Sequence, residues 1–219
     1  MSHFSDRREA GRQLGAQLTH YSQHPDALVL ALPRGGVPVG FEVARILETP
    51  LDVCLIRKLG VPGHEELAFG AVTSDGTRVL NDDVIESLNL SQEIVNAVTL
   101  RELRHLAASE VLYRDAQPAA EVAGKIILLV DDGLATGAST RSAIAMLQQQ
   151  AVARLVVAVP VAPADVCQQF RQLVDEVVCL FTPDPFQAVG LWYEDFSPVS
   201  DEEVRELLAE CEVKGEHPL

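Results

Sequence analysis

Five stretches of the chain are almost continuously apolar: residues 27–32, 51–56, 126–130, 155–160 and 176–181. None alternates between apolar and polar positions, as a strand with one wet face would. Continuous apolarity over five or six residues is what a strand needs when both faces of its sheet are covered, which is the rule in parallel sheets. Between these stretches, residues 37–47, 139–150 and 164–174 repeat apolar side chains at helical spacing. The alternation predicts an α/β fold with a mainly parallel five-stranded sheet and flanking helices.

Three segments stand outside that alternation. Residues 60–76 are rich in Gly and Pro, carry His64, Glu65 and Glu66, and read as a long loop or a hairpin. Residues 91–114 read as a charged amphipathic helix with Ser91 as its N-cap. The tail from Pro183 gathers Phe186, Trp192, Tyr193 and Phe196, although the whole chain has one Trp, three Tyr and seven Phe. Ser200-Asp201-Glu202-Glu203 then has the form of a capping box opening a last helix to about residue 211.

At 219 residues and 47% apolar the chain suits one domain, spanning 1–219, with a full core. Its longest apolar runs fall far short of the roughly 20 residues of a membrane span. The charged start (Asp6, Arg7, Arg8, Glu9) lacks the apolar segment of a signal peptide. Cys54, Cys167, Cys179 and Cys211 are scattered, without a Cys-x-x-Cys pair, and read as reduced thiols of a cytoplasmic protein. Seventeen basic against 32 acidic side chains give a net charge of −15. That charge repels nucleic acid and anionic membranes. It is compatible with a homo-oligomer and with a small anionic ligand, which needs only a local cluster of donors.

One such cluster is visible in the string Ile126-Ile127-Leu128-Leu129-Val130-Asp131-Asp132-Gly133-Leu134-Ala135-Thr136-Gly137-Ala138-Ser139-Thr140. It reads as a strand, a pair of carboxylates and the start of a helix. The unpaired N–H groups of a helix N-terminus, two glycines and three hydroxyls form an anion cradle for one phosphate. The carboxylates before it suit hydroxyl donors such as a ribose diol. The spacing is not that of a Walker A loop, and no Gly-x-Gly-x-x-Gly is present.

This string closely resembles the phosphoribosyl-pyrophosphate motif of the type I phosphoribosyltransferases, and along nearly its full length the chain resembles bacterial phosphoribosyltransferase-like proteins. The resemblance implies that Asp131 and Asp132 hold the ribose hydroxyls and that Gly133, Leu134, Ala135, Thr136, Gly137, Ala138, Ser139 and Thr140 wrap the 5′-phosphate. Leu32-Pro33-Arg34-Gly35-Gly36-Val37-Pro38 is similar to the family's pyrophosphate loop, which implies a strained or cis peptide near Arg34-Gly35. Its Arg34 guanidinium and the N–H groups around Gly35 and Gly36 suit bidentate contact to pyrophosphate. Arg57-Lys58, read as the C-terminal end of the second strand, resembles the Arg-Lys of the adenine enzymes. Residues 59–76 match the position of the family's mobile catalytic loop.

Two departures matter. The 6-oxopurine enzymes carry an Asp immediately before the Thr-Gly of the motif, where this chain has Ala135. The adenine enzymes share the Ala-Thr-Gly and draw an acid from the mobile loop, a role open to Glu65 or Glu66, as is a solvated loop position. The C-terminal aromatics are similar to the 6-oxopurine hood, in which Phe186 or Trp192 would stack on the base; the alternative is that they fasten the tail to the sheet. The implied activity is phosphoribosyl transfer from phosphoribosyl pyrophosphate to a purine-like base. Glu65, Glu66 and Lys58 are the candidate catalytic groups, and Mg²⁺ is expected to be held mainly by substrate and water, with no dedicated metal ligands in the protein. A non-catalytic sensor of phosphoribosyl pyrophosphate or a nucleotide, and a hydrolase of the same ligand, are the competing classes.

Overall fold

A computed structural model describes residues 4–74, 76–114 and 118–215, without the side chains of Glu66 and residues 212–215. The main sheet holds β1 (Ala27–Ala31), β2 (Leu51–Val53), β6 (Ile126–Val130), β7 (Arg154–Val161) and β8 (Glu176–Phe181). Their order is β2-β1-β6-β7-β8 and every pairing is parallel. The apolar continuity of β6 is explained by its two faces. Ile127 and Leu129 enter a core shared with α5 (Ala138–Gln148) and α6 (Ala164–Phe170), which also holds Ile144 and Phe170. Leu128 and Val130 point the other way, into a core with Leu14 of α1 (Arg7–Gln17) and Val39 and Val43 of α2 (Gly36–Leu47). Both layers are closed, so the strand has no face for a polar residue until Asp131.

The second predicted strand divides. The apolar run over 51–56 serves two sheets: β2 ends at Val53, and β3 (Ile56–Val61) opens a separate antiparallel sheet with β4 (His64–Thr73) and β5 (Arg78–Leu80). Between them Cys54 donates its N–H to Ala31 O (2.8 Å), a backbone hydrogen bond back to β1. Cys54 then packs into the α5–α6 core and Leu55 into a third core, with α4 (Gln92–Arg114) and α7 (Asp201–Gly215). Hydropathy alone carries no mark of this change of sheet, because both residues are buried.

Of the two readings of residues 60–76, the hairpin is the one found, formed by β3 and β4. Two helices were not anticipated. In α1 the Asp6 side chain accepts the Glu9 N–H, and Gly11 and Gly15 let the helix lie close on α2, where a Cβ on Gly11 would stand 2.6 Å from Val39 O. The short α3 (Asp82–Ser87) is capped by Asn81. The caps read from sequence are present: Ser91 Oγ accepts the Ile94 N–H and Ser200 Oγ the Glu203 N–H. All four cysteines are free thiols. Among the described residues no helix is long and apolar enough to cross a membrane.

The two ends of the chain meet beside the sheet. Phe4 donates its N–H to Trp192 O (2.9 Å) and accepts from Glu194 N–H (2.8 Å). Phe4 and Tyr193, with Ala10, form a small aromatic core against which Trp192 and Phe196 pack. This is the small hood expected from the terminal segments, and it stands over the C-terminal edge of β6.

Candidate active site

Loops after β1 and β6 leave the sheet side by side, and glycines let them touch. A Cβ on Gly35 would lie 2.1 Å from Asp132 Oδ2, and one on Gly36 would lie 2.8 Å from Val130 O. Any side chain at either position would displace the acid pair, so the Arg34-Gly35-Gly36 turn and Asp131-Asp132 form one surface. The peptide between Pro33 and Arg34 is cis, one bond before the position inferred from the motif.

The acid pair is crowded and sheltered. Burial, reinforced by the neighbouring Asp132 charge, pushes the Asp131 carboxyl well above the usual carboxylate range. Asp132 is raised as well, again by burial, and Arg7 opposes the shift. Arg7 Nε donates to Asp132 Oδ2 at 2.8 Å with both side chains nearly buried. Arg7 also donates to Ser197 O, and its guanidinium lies 3.8 Å from the centre of the Phe196 ring. The Tyr193 hydroxyl donates to the Asp132 carbonyl oxygen (2.6 Å). Neither Arg7 nor Tyr193 was singled out from the sequence: one lies 125 residues before Asp132 and the other 61 after it.

Beyond the acids the chain turns into α5. Leu134 anchors the loop by its buried side chain and by donating to Val161 O (2.9 Å). Ala135, Thr136, Ala138 and Ser139 are exposed around it. Gly137 has φ +70°, and a Cβ there would stand 2.6 Å from the Phe170 ring, so only glycine fits. No side chain caps α5, so the N–H groups of its first turn stay available to an external anion. The Thr140 hydroxyl is buried and finds no partner among the described residues.

A cleft of about 300 Å³ opens between this helix start and the antiparallel sheet, lined by Arg57, Lys58, Glu65, Arg101 and Glu102 together with Ser139. Arg57 and Lys58 therefore do reach the site, but from within β3 and not from the end of a parallel strand as expected. The reason is the sheet change at Cys54, described above. Glu102 of α4 is buried and holds two guanidiniums: Arg57 Nε at 3.2 Å through Oε2 and Arg101 Nε at 2.9 Å through Oε1. Arg101 and Glu102 were missed because nothing in an amphipathic helix pattern separates a site-facing charge from a solvated one.

Glu65 lines the cleft as an exposed carboxylate. Hydrogen bonds from its own N–H and from Gly63 hold its carboxyl below the usual range. The backbone of Glu66 lies in β4, while its side chain is outside the described residues. Arg34 is not among the residues lining the cleft; its Nη1 stands 3.8 Å from Asp201 Oδ1 at the start of α7. Phe186 is half-buried in the tail, and Trp192 packs against the aromatic core of the hood. Among the described residues no three His, Cys, Asp or Glu side chains stand together as a metal site.

Comparison with known proteins gives a consistent result. The profile of the phosphoribosyl transferase domain family matches residues 8–180. Over 204 residues the chain is 46% identical to Mycobacterium tuberculosis proteins from two strains, provisionally named phosphoribosyl transferases. That match covers 93% of this chain and 46% of the relatives, so the chain spans about half the length of the curated relatives it matches. The crystal structure of TT1426 from Thermus thermophilus superposes with a TM-score of 0.86 at 41% identity, covering 95% of this chain and 98% of that one. The family match spans β1 to β8 and so takes in both the acid pair and the cleft opposite it, and on that basis this chain belongs to the phosphoribosyltransferase family.

Proposed function

We propose that this chain, acting as a single domain, transfers the 5-phosphoribosyl group of phosphoribosyl pyrophosphate to a nitrogen of a purine-like base and releases pyrophosphate. The C1′–O bond to pyrophosphate breaks, a C1′–N bond forms, and the base nitrogen gives up its proton. The observation that carries this reading is the contact of Gly35 and Gly36 with Asp131 and Asp132 beside an uncapped helix start. It brings diol acceptors, a phosphate cradle and a second N–H-rich turn to one place.

Within this reading the N-terminus of α5 and the 133–140 loop take the 5′-phosphate. The acid pair takes the ribose hydroxyls, with two of its oxygens already engaged by protein donors. Arg57, Lys58 and Arg101, which line the cleft with Ser139, face the departing pyrophosphate, and the Gly35-Gly36 turn packed against the acid pair offers its N–H groups from the β1 side. Charge developing on that leaving group is stabilised by guanidiniums already oriented, by Glu102, before reaction. Closure of the β3–β4 hairpin over the site would exclude water from the reaction centre. Glu65, ionised at neutral pH, suits a proton acceptor near the base more than a donor. Mg²⁺ bound with the co-substrate would supply charge neutralisation at the pyrophosphate, held mainly by substrate oxygens and water.

Pyrophosphate release from phosphoribosyl pyrophosphate, assayed with a panel of bases and with none, tests the proposal. Release that requires one base is the expected result. Release in water alone would make the protein a hydrolase, and tight binding without turnover would make it a sensor.

A further inference from the structure

Resting on the sugar-site reading just given, we propose that Arg7 is the positioning residue of that site. Its guanidinium takes Asp132 Oδ2 and leaves Asp132 Oδ1 and the outer oxygen of Asp131 as the acceptors for a ribose diol. The oxygens can be assigned one by one. Asp131 Oδ1 already accepts the Asp132 N–H at 2.9 Å. Asp132 Oδ2 is held by Arg7 Nε at 2.8 Å and lies against the Cα of Gly35, where not even a methyl group fits. One oxygen on each carboxylate remains, which matches two adjacent hydroxyls.

Arg7 is itself held from three sides. Its Nε is on Asp132, its Nη1 donates to Ser197 O (2.9 Å), and its plane stacks on Phe196 at 3.8 Å. Tyr193, 5.9 Å from the same guanidinium, hydrogen-bonds the Asp132 carbonyl. The N-terminal helix and the C-terminal aromatic segment are therefore joined through one side chain to the acid that reads the sugar. A cation has a second consequence at this point. Both carboxyls are raised by burial, and a carboxyl that takes up a proton loses acceptor capacity. The ionisable groups in electrostatic contact with this centre are Asp131 and Asp132 themselves, Arg7 on α1, and Tyr193 and Asp195 on the C-terminal segment. Among them Arg7 is the cation, and it lowers both acids.

The test compares binding of ribose 5-phosphate and 2-deoxyribose 5-phosphate, by calorimetry between pH 6 and 9, in wild type, Arg7→Lys and Arg7→Met. Wild type is expected to prefer the ribose sugar. Arg7→Met should bind ribose 5-phosphate at least tenfold more weakly at pH 7 and regain affinity as pH rises, because the raised acids have lost the cation that lowers them, while affinity for the deoxy sugar changes little. Arg7→Lys keeps the charge and should restore most of the wild-type pH profile. Equal losses for both sugars with an unchanged pH profile, or wild-type behaviour in Arg7→Met, overturn the role of Arg7. A wild type that does not distinguish the two sugars overturns the sugar-site reading itself.

Discussion

The two walls of the site are built differently. One wall is a single stretch of chain, Asp131 to Thr140, where a buried parallel strand ends and a helix begins. The other is assembled from β3, β4 and α4, and its central ion pair joins Arg57 to a residue 45 positions away. On the proposed reading, the 133–140 loop of the first wall would meet the phosphate mostly through backbone N–H groups, fixed by φ/ψ values and by two glycines. On the second the groups facing the cleft are side chains, two of them held by the buried carboxylate of Glu102. The first wall should therefore fail abruptly when its geometry is disturbed, and the second by degrees.

Gly35→Ala should show the largest effect. The added Cβ falls 2.1 Å from Asp132 Oδ2 and forces that carboxylate off Arg7. Co-substrate turnover should drop by about 100-fold, on the scale of a misplaced group at a reaction centre, with circular dichroism unchanged. Normal kinetics would show that the acid pair tolerates displacement.

On the opposite wall, Glu102→Gln leaves Arg57 and Arg101 in place but loosely oriented. Steady-state kinetics should show KM for phosphoribosyl pyrophosphate raised about 10-fold and kcat less affected, about the size of losing one oriented charge pair. A 100-fold loss would make this wall as brittle as the first. Smaller again, Glu65→Gln should slow turnover by about 10-fold without weakening co-substrate binding. Unchanged turnover in Glu65→Gln, Glu66→Gln and the double variant would remove the loop acid from the mechanism.

The smallest effect concerns stability. Asp131 in the folded protein keeps a proton that the unfolded chain releases near its ordinary pKa of about 3.9. Above that value folding loses stability as pH rises, until the raised folded value is passed, and the deficit persists at higher pH. Asp131→Asn removes the deficit. Thermal unfolding should show no gain near pH 4 and a gain of about 1 kcal/mol, or about 2–4 °C, at pH 8. A gain that is independent of pH would trace to something other than the buried charge.

The contrast between the walls also explains what the sequence disclosed. The 126–140 string was legible because strand, acids, glycines and helix start are contiguous, and each residue type has a local reason to be there. All five strands of the main sheet could be found from nearly continuous apolar runs, broken only by Asp52 in β2 and by Glu176 at the start of β8. The split at Cys54 could not, because one apolar run fills two different cores. Arg7, Arg101, Glu102 and Tyr193 were missed for the same reason: each reaches the site by tertiary contact alone. Trp192 was singled out for the chemistry of its ring, and it packs against the aromatic core of the hood.

Calorimetry of phosphoribosyl pyrophosphate binding to wild type and to the double variant Asp131→Asn, Asp132→Asn tests the central claim most directly. Both substitutions preserve shape and remove the acceptors for the ribose diol, so the fold should persist while binding falls at least 100-fold, the scale set by leaving polar groups unpaired in a buried site. Wild-type affinity in the folded double variant would contradict the assignment of this acid pair to the sugar.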